Sequence, residues 1–479
     1  MSLSVGAIPF NTKPYKNISG ISTTNSSERY MNGIMVPDDK GGFVSKRRPG
    51  MLEFIDLGTG SPIDGVYWWQ KKGVLISVSA GVVYKTTSTT GTTINLGGVA
   101  LNTGTRVIFA EARRSGTDYL FMCNGGQIAY TDGTTALAYV SDADAPTTCT
   151  FIQFMDQSIV ANDTTTDRFY YSETGDPLSW SSLDFVTAES NFDRSVSILV
   201  KNRNIIIFGE ASTEFWQNDG VTPFRRRSDI FINEGTFSPY AIADTPVGIF
   251  FMNNNREIKS LSITGQTTKV STPYDLVFQA LTTVTNAYAD NYIVGGKGFY
   301  VITFPTDSRT FAYDYINDYW SEWAYWSSSD FARYRGNNYV YAAGWNFHIV
   351  GDYNDDKLYK VSFDYYNDNG TLMKWLRLTG NVDHGNPMSR KMNVKTQFKI
   401  KSGHSITDSA MPYYMYRKNP DSRGWSNEHQ LPVQKIGNTY PEVEVHRQGH
   451  YKMMQHELSC TDNIDVEVSD VIEMYQEFR

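Results

Sequence analysis

A strand-like run rich in β-branched and aromatic residues recurs through the middle of the chain at a nearly constant interval, and no other feature restricts the fold as strongly. The runs begin at Val74 (VLISVS), Tyr119 (YLFMC), Ile159 (IVAN), Ile205 (IIIF), Val247 (VGIFFM), Phe299 (FYVITF) and Tyr339 (YVYAA). Successive steps are 45, 40, 46, 42, 52 and 40 residues. A mean of about 44 is the period of a propeller blade. Outer hairpin strands accompany the runs at 81–84, 127–130, 256–258 and 310–314. Several short strands per repeat suit a β-propeller better than an immunoglobulin-like sandwich, whose sheets do not repeat as whole units. The expected fold is therefore all-β, a propeller with a count of seven blades. Six or eight blades also fit the spacing, and a pair of stacked β-sandwiches is the competing architecture.

Flanking regions differ from the repeat. Residues 1–55 contain Pro9, Pro14, Pro37 and Pro49 among many Asn, Ser and Gly, which predicts an extended N-terminal arm with little regular structure of its own. Residues 38–42 look like a flexible tip within it. The propeller is expected over 56–370, ending at the four turn formers 367–370. Beyond them Met392, Val394, Thr396, Phe398 and Ile400 alternate with Asn393, Lys395, Gln397, Lys399 and Lys401. That pattern predicts a strand with one buried and one basic face. Val443, Val445, Ile464, Val466 and Val468 repeat the period, so 371–479 is expected to be a C-terminal β-sandwich.

Composition narrows the class further. The net charge of −8 is uneven: 374–460 holds thirteen Lys and Arg against seven Asp and Glu, a basic segment on an acidic body. Such a segment could meet an acidic protein ring or nucleic acid, or simply be a solvated strand face. Cys123, Cys149 and Cys460 are too few and too scattered for a disulfide framework or a zinc site, which fits synthesis in a reducing cytoplasm. No run of about 18 apolar residues suggests a membrane span.

Chemistry-bearing groups do not assemble into a recognisable constellation. Glu442 with Glu444 and Asp465 with Glu467 have the spacing of one strand face, which suits solvent better than calcium without a D-x-[DN]-x-[DN]-G loop. His446, His450 and His456 lie in strand-like sequence, where spacings of four and six do not build a zinc site. The adjacent Arg225, Arg226 and Arg227 would alternate between strand faces. No Walker-type phosphate loop occurs, and no cofactor or metal is expected. Dense aromatics, from Trp68 and Trp69 to Trp326, are expected to pack blades and subunit contacts.

One stretch carries more than pattern. Two apolar runs, 195–200 and 205–208, predict a hairpin, preceded by a turn at Gly175, Asp176 and Pro177 with Trp180 placed to cover it. Across it stand S-x-x-G-D-P-x-x-W at 172–180, D-F-x-x-A-E-S at 184–190, Asp193, and F-G-x-x-S-T-E-x-W at 208–216. In order and spacing these resemble the packaged-DNA stabilisation or tail-hub proteins of short-tailed bacteriophages. Arg29-Tyr30-Met31-Asn32 and Arg48-Pro49-Gly50-Met51 resemble that family's opening. The motifs cover about a third of the chain.

The resemblance marks Asp176, Pro177, Trp180, Glu189, Asp193, Gly209, Glu214 and Trp216 as structural motif positions. It implies a non-enzymatic virion protein, made in the host cytoplasm and assembled as a ring of six beneath the portal and its adaptor. There it would help seal packaged DNA, contact DNA only indirectly, and anchor a tail needle or nozzle and spikes or fibres. The arm and the basic positions Lys395, Lys399 and Lys401 are the interface candidates. Two other classes compete: a glycan-binding or glycan-hydrolysing propeller acting in receptor binding, and a cellular propeller scaffold.

Overall fold

The computed structural model of the protein describes residues 3–14, 28–187, 195–220, 224–401, 412–433 and 442–478. Among them, seven four-stranded antiparallel units follow one another along the chain. Their first strands are Ile63–Trp69, Ile108–Arg114, Ile152–Met155, Ser195–Lys201, Ala243–Thr245, Tyr288–Val294 and Gly336–Ala342. The first strand of the seventh unit returns to lie against that of the first, so the units form a circle. We number these blades one to seven.

Burial explains why the repeat is visible in the sequence. A blade's second strand is covered by sheets on both faces, so it reads as a continuous apolar run. Val74–Ser79, Ser158–Asn162, Asn204–Gly209 and Gly248–Met252 are buried at every position. Six of the seven runs are second strands. The seventh, at Tyr339, belongs to a first strand, and blade seven's second strand is Phe347–Asp352. Separate apolar cores fill each gap between neighbouring blades, from Trp69 with Leu120 between one and two to Ile349 with Leu75 between seven and one.

The expected hairpin pairs Ile198 with Ile207 and Val200 with Ile205. Its two-residue turn puts Asn202 at φ 49° and Arg203 at φ 60°. Left-handed conformations at both positions match the twist of the flanking strands.

The N-terminal residues differ from expectation. Leu3–Ala7, Gly33–Pro37 and Phe43–Arg47 are strands of one sheet with Arg390–Ile400, Glu442–Tyr451 and Glu467–Phe478. Arg29–Met31 joins a second sheet with Trp375–Leu378, Met454–Cys460, Tyr413–Pro420 and His429–Pro432. Gly50–Asp56 pairs with Lys357–Ser362 as the fourth strand of blade seven, and Asn367–Asp368 with Thr371–Leu372 extends the sheet beyond it. These segments are too short to bury a face alone, which is why the sequence reads as an arm. Strands far along the chain supply the missing partners. The supposed flexible tip is a closed turn, in which Asp38 Oδ1 accepts the N–H groups of Lys40 and Gly42.

Between the two sheets lies a core containing Ile8, Phe10, Trp375, Phe398, Tyr414, Tyr416, Leu458 and Val468. The second sheet continues into blade six, where Met31 pairs with Glu322. Within Arg390–Ile400 the simple alternation fails. A bulge between Asn393 and Lys395 shifts the phase, so Asn393, Thr396, Phe398 and Ile400 are buried, while Met392 and Val394 are only half-buried. One extra residue moves every side chain before it to the opposite face. Lys391 is consequently buried, and its amine donates to the carbonyls of Asn386, Ser389 and Lys452.

Candidate functional site

Three places hold the residues singled out by sequence: the blade framework, the joint between propeller and sandwich, and the outer face of the sandwich sheet. A fourth, at the propeller axis, was not legible beforehand.

Motif residues of the framework support blades. Ser172 Oγ accepts the Ile159 N–H at 2.9 Å, fixing the second and third strands of blade three. Gly175 turns at φ 81°, and Asp176 pairs with Arg114 of blade two at 2.8 Å. Pro177 is buried beside it. Trp180 inserts into the core between blades two and three, with its backbone N–H on Asp142 Oδ2 at 3.0 Å. Gly209 accepts from Thr236, and a Cβ on nearby Gly235 would lie 2.2 Å from the Gly209 carbonyl oxygen. Glu214, 3 % exposed, accepts the Trp216 indole N–H at 3.0 Å, and Trp216 packs edge-on to Phe169. Glu189 and Asp193 lie outside the described residues.

The opening motifs build the joint. Arg48, 1 % exposed, binds Asp368 through two nitrogens at 3.0 and 2.6 Å, and donates to Asn32 Oδ1 and the Ala324 carbonyl. Burial opposes the guanidinium charge most strongly, but the Asp368 carboxylate together with the Tyr334 and Tyr292 hydroxyls outweighs it and holds Arg48 above its ordinary pKa. Asn32, at φ 52°, also donates to the Lys374 carbonyl. Arg47 reaches the carbonyls of Tyr366, Cys460, Asp462 and Ile464. Tyr30 hydrogen-bonds the Ile34 carbonyl and Ser45. Gly50 is required by close approach, since a Cβ there would sit 2.4 Å from the Tyr365 carbonyl oxygen. Arg47 and Arg48 thus tie the sandwich to blades six and seven.

The interface candidates converge on one sheet. Lys395 and Lys399 lie on the strand beside Glu467–Phe478, which also pairs with Leu3–Ala7 and Phe43–Arg47, and Lys401 follows that strand's last residue. The face is less basic than its sequence suggests. Lys395 pairs with Glu444, Lys399 with Asp470 at 3.9 Å, and Lys401 with Asp465 at 2.8 Å. Alongside runs an apolar strip of Leu3, Val5 and Ile472, 49, 61 and 36 % exposed.

Other candidates do not converge. Arg226 leans toward Glu214 while Arg227 holds Asp229. His446 pairs with exposed Glu444, whereas His456 is buried and bonded to the Tyr416 hydroxyl at 2.8 Å. Cys123 and Cys149, distant in sequence, share the core between blades two and three as free thiols. Trp69, Trp320 and Trp323 are buried within or between blades.

At the pole where first strands begin, the axis is crossed. Arg106, entering blade two, forms an ion pair with Asp290 of blade six. Tyr240, entering blade five, packs 5.2 Å from Phe151, entering blade three. Contacts between non-adjacent blades plug the propeller's own hole. Beside the plug is a cavity of about 410 Å³ lined by Asp64, Arg106, Tyr240, Tyr288, Arg333 and Tyr353 among others. Burial lifts the Asp64 carboxyl to about 6 against the pull of the Gly104 N–H.

Residues 40–366 match the family model described as bacteriophage P22 Gp10, a β-propeller of the phage-stabilisation type. The chain belongs to this family. The Gp10 family is one of phage structural proteins, and its match spans the propeller together with the Arg47–Arg48 joint. No curated protein matches the chain. Among solved structures, YCF48 bound to a D1 peptide is similar at 10 % identity and TM-score 0.42, over 66 % of this chain and 96 % of that one. The extracellular domain of a one-component system from B. thetaiotaomicron aligns at 10 % identity and TM-score 0.42, over 87 % of this chain and 60 % of that one. BBS1N in complex with ARL6DN aligns at 10 % identity and TM-score 0.41, over 66 and 97 %.

Proposed function

We propose that this Gp10-family protein is a tail hub of a short-tailed phage, assembled as a ring of six below the portal and its adaptor. In this reading it helps hold packaged DNA in the head and anchors a needle or nozzle and spikes or fibres. It works by binding alone and touches DNA only indirectly. The supporting observation is the joint: buried Arg47 and Arg48 weld an N- and C-terminal sandwich to a propeller whose own hole is plugged. Such a body suits a rigid wedge in a larger ring better than a conduit, and rotational symmetry multiplies each weak contact.

We assign the outer face of the sandwich sheet to contact with the next copy. Lys395 beside Glu444 and Lys399 beside Asp470 give it rows of both signs, which can register against the corresponding rows of an identical chain. The strip of Leu3, Val5 and Ile472 supplies apolar area. Adding purified protein to DNA-filled heads that lack it tests the reading. Nuclease-sensitive DNA should fall and the protein should sediment with the heads. Unchanged leakage would overturn it and direct attention to glycan binding.

A further inference from the structure

The cavity at the plugged pole is lined by two guanidinium groups and by the Asp64 carboxylate, which forms an ion pair with neither among the described residues. Arg106 is neutralised by Asp290 across the axis. Arg333 has no carboxylate partner among the described residues. Its guanidinium lies 3.7 Å from the centre of the Tyr353 ring and 5.3 Å from that of Tyr288, and donates to the Tyr288 hydroxyl at 2.5 Å. A guanidinium held between aromatic rings presents a planar fork matched to a carboxylate.

The rest of the wall has a different chemistry. Thr105, Thr285 and Asn286 bring hydroxyl and amide groups, while Tyr240 and Pro239 bring apolar faces. Asp64 offers an acceptor whose second contact, beyond the Gly104 N–H at 3.1 Å, is open to a hydroxyl donor. One guanidinium without an ion-pair partner, one carboxylate able to accept from hydroxyls, several neutral hydrogen-bonding groups and ring faces in about 410 Å³ fit one charged, hydroxyl-rich ring. A bare anion would leave the neutral wall unused, and a neutral sugar would leave Arg333 unmatched.

We propose that this axial cavity binds an acidic monosaccharide unit, with the sugar carboxylate on Arg333 and the hydroxyls on Asp64, Thr285 and Asn286. It is a binding site separate from the sandwich face and from head attachment.

The test is ligand-observed NMR titration of the full chain with methyl glucuronide and N-acetylneuraminate, which separates uronic from sialic acids, against methyl glucoside and acetate. At least one acidic sugar should bind while glucoside and acetate bind about tenfold more weakly or not at all. Arg333→Gln should weaken that binding about tenfold, with Arg333→Lys intermediate, since a hydrogen-bonded charge is lost in the first and its forked geometry in the second. Thermal melting checks that each variant folds, and Arg333→Lys decides if the glutamine variant does not. Binding of neither acidic sugar, equal binding of acetate, or wild-type affinity in both variants would overturn the proposal.

Discussion

The propeller and the sandwich solve the same problem of covering a sheet in opposite ways. Each blade is assembled mainly from consecutive strands and buries its faces against its neighbours, so its information is local and periodic. The sandwich is assembled from the two ends of the chain, pairing Leu3 with Gln476 and Arg29 with Leu378. Its core also surrounds a polar group: Glu473 accepts from Asn393 and faces His384, with His456, Tyr416 and Gln448 close by. Sequence separation places the cost of closing long loops on the sandwich. Its order therefore depends on the joint that fixes both termini, whereas a blade depends on the blade beside it.

The largest expected effect breaks that dependence. Arg48→Ala strips the buried partner from Asp368, a change that costs about 3–5 kcal/mol when the other charge stays buried. Denaturant unfolding should then separate into two transitions, sandwich first; a single undivided transition would refute independent dependence on the joint.

Acid should drive the two regions apart. Burial pushes His456 down to about 4, with Glu473 opposing and His384 and Lys418 adding to the shift. The unfolded chain takes up a proton at His456 below about 6.5, the folded one not until about 4, so sandwich stability is lost as pH falls across that window. The loss is about 2–3 kcal/mol. Asp64 has the opposite sign: its raised folded value means stability is gained as pH falls through about 6 toward the unfolded carboxylate range. Hydrogen exchange at pH 6.5 and 4.5 should show protection falling around 454–460 but not around 63–69, and His456→Gln should flatten the first response.

Gly50→Ala sharpens the comparison at the closing strand of blade seven. Its Cβ meets two carbonyl oxygens, of Tyr365 and Asn367, at 2.4 and 2.5 Å, an overpacking that costs about 1–3 kcal/mol. Exchange should rise at 357–362 before it rises in blades two to four. The smallest effect on stability is expected for Lys395→Glu with Lys399→Glu and Lys401→Glu, whose solvent-screened pairs contribute little. The melting point should barely move, while binding to heads weakens; unchanged binding would remove these lysines from the contact.

What was legible in the sequence follows the same division. Second strands such as 204–209, buried on both faces, announced the propeller, and the paired hairpin at 195–209 formed as read. The N-terminal strands were hidden because they are only three to seven residues long, too short to carry a periodic signal, and all but the local pair Gly33–Pro37 and Phe43–Arg47 find their partners only far along the chain. The bulge after Asn393 was hidden because alternation in sequence does not reveal a change of phase. Lys395 looked basic because Glu444, which neutralises it, is 49 positions away and becomes adjacent only through strand pairing. The axial cavity could not be read at all, since Asp64, Arg106, and Tyr288 with Arg333 reach it from three separate blades and each looks ordinary alone.

We propose that the sandwich face, and not the blade surface, joins one copy to the next. A photo-crosslinking residue at Val5, 61 % exposed on the sandwich, can be compared with one at Leu183, 82 % exposed on blade three, after each chain is added to heads lacking the protein. Crosslinked dimers from position 5 and none from position 183 are the expected result. Dimers from 183 alone would contradict the claim and move the contact to the propeller.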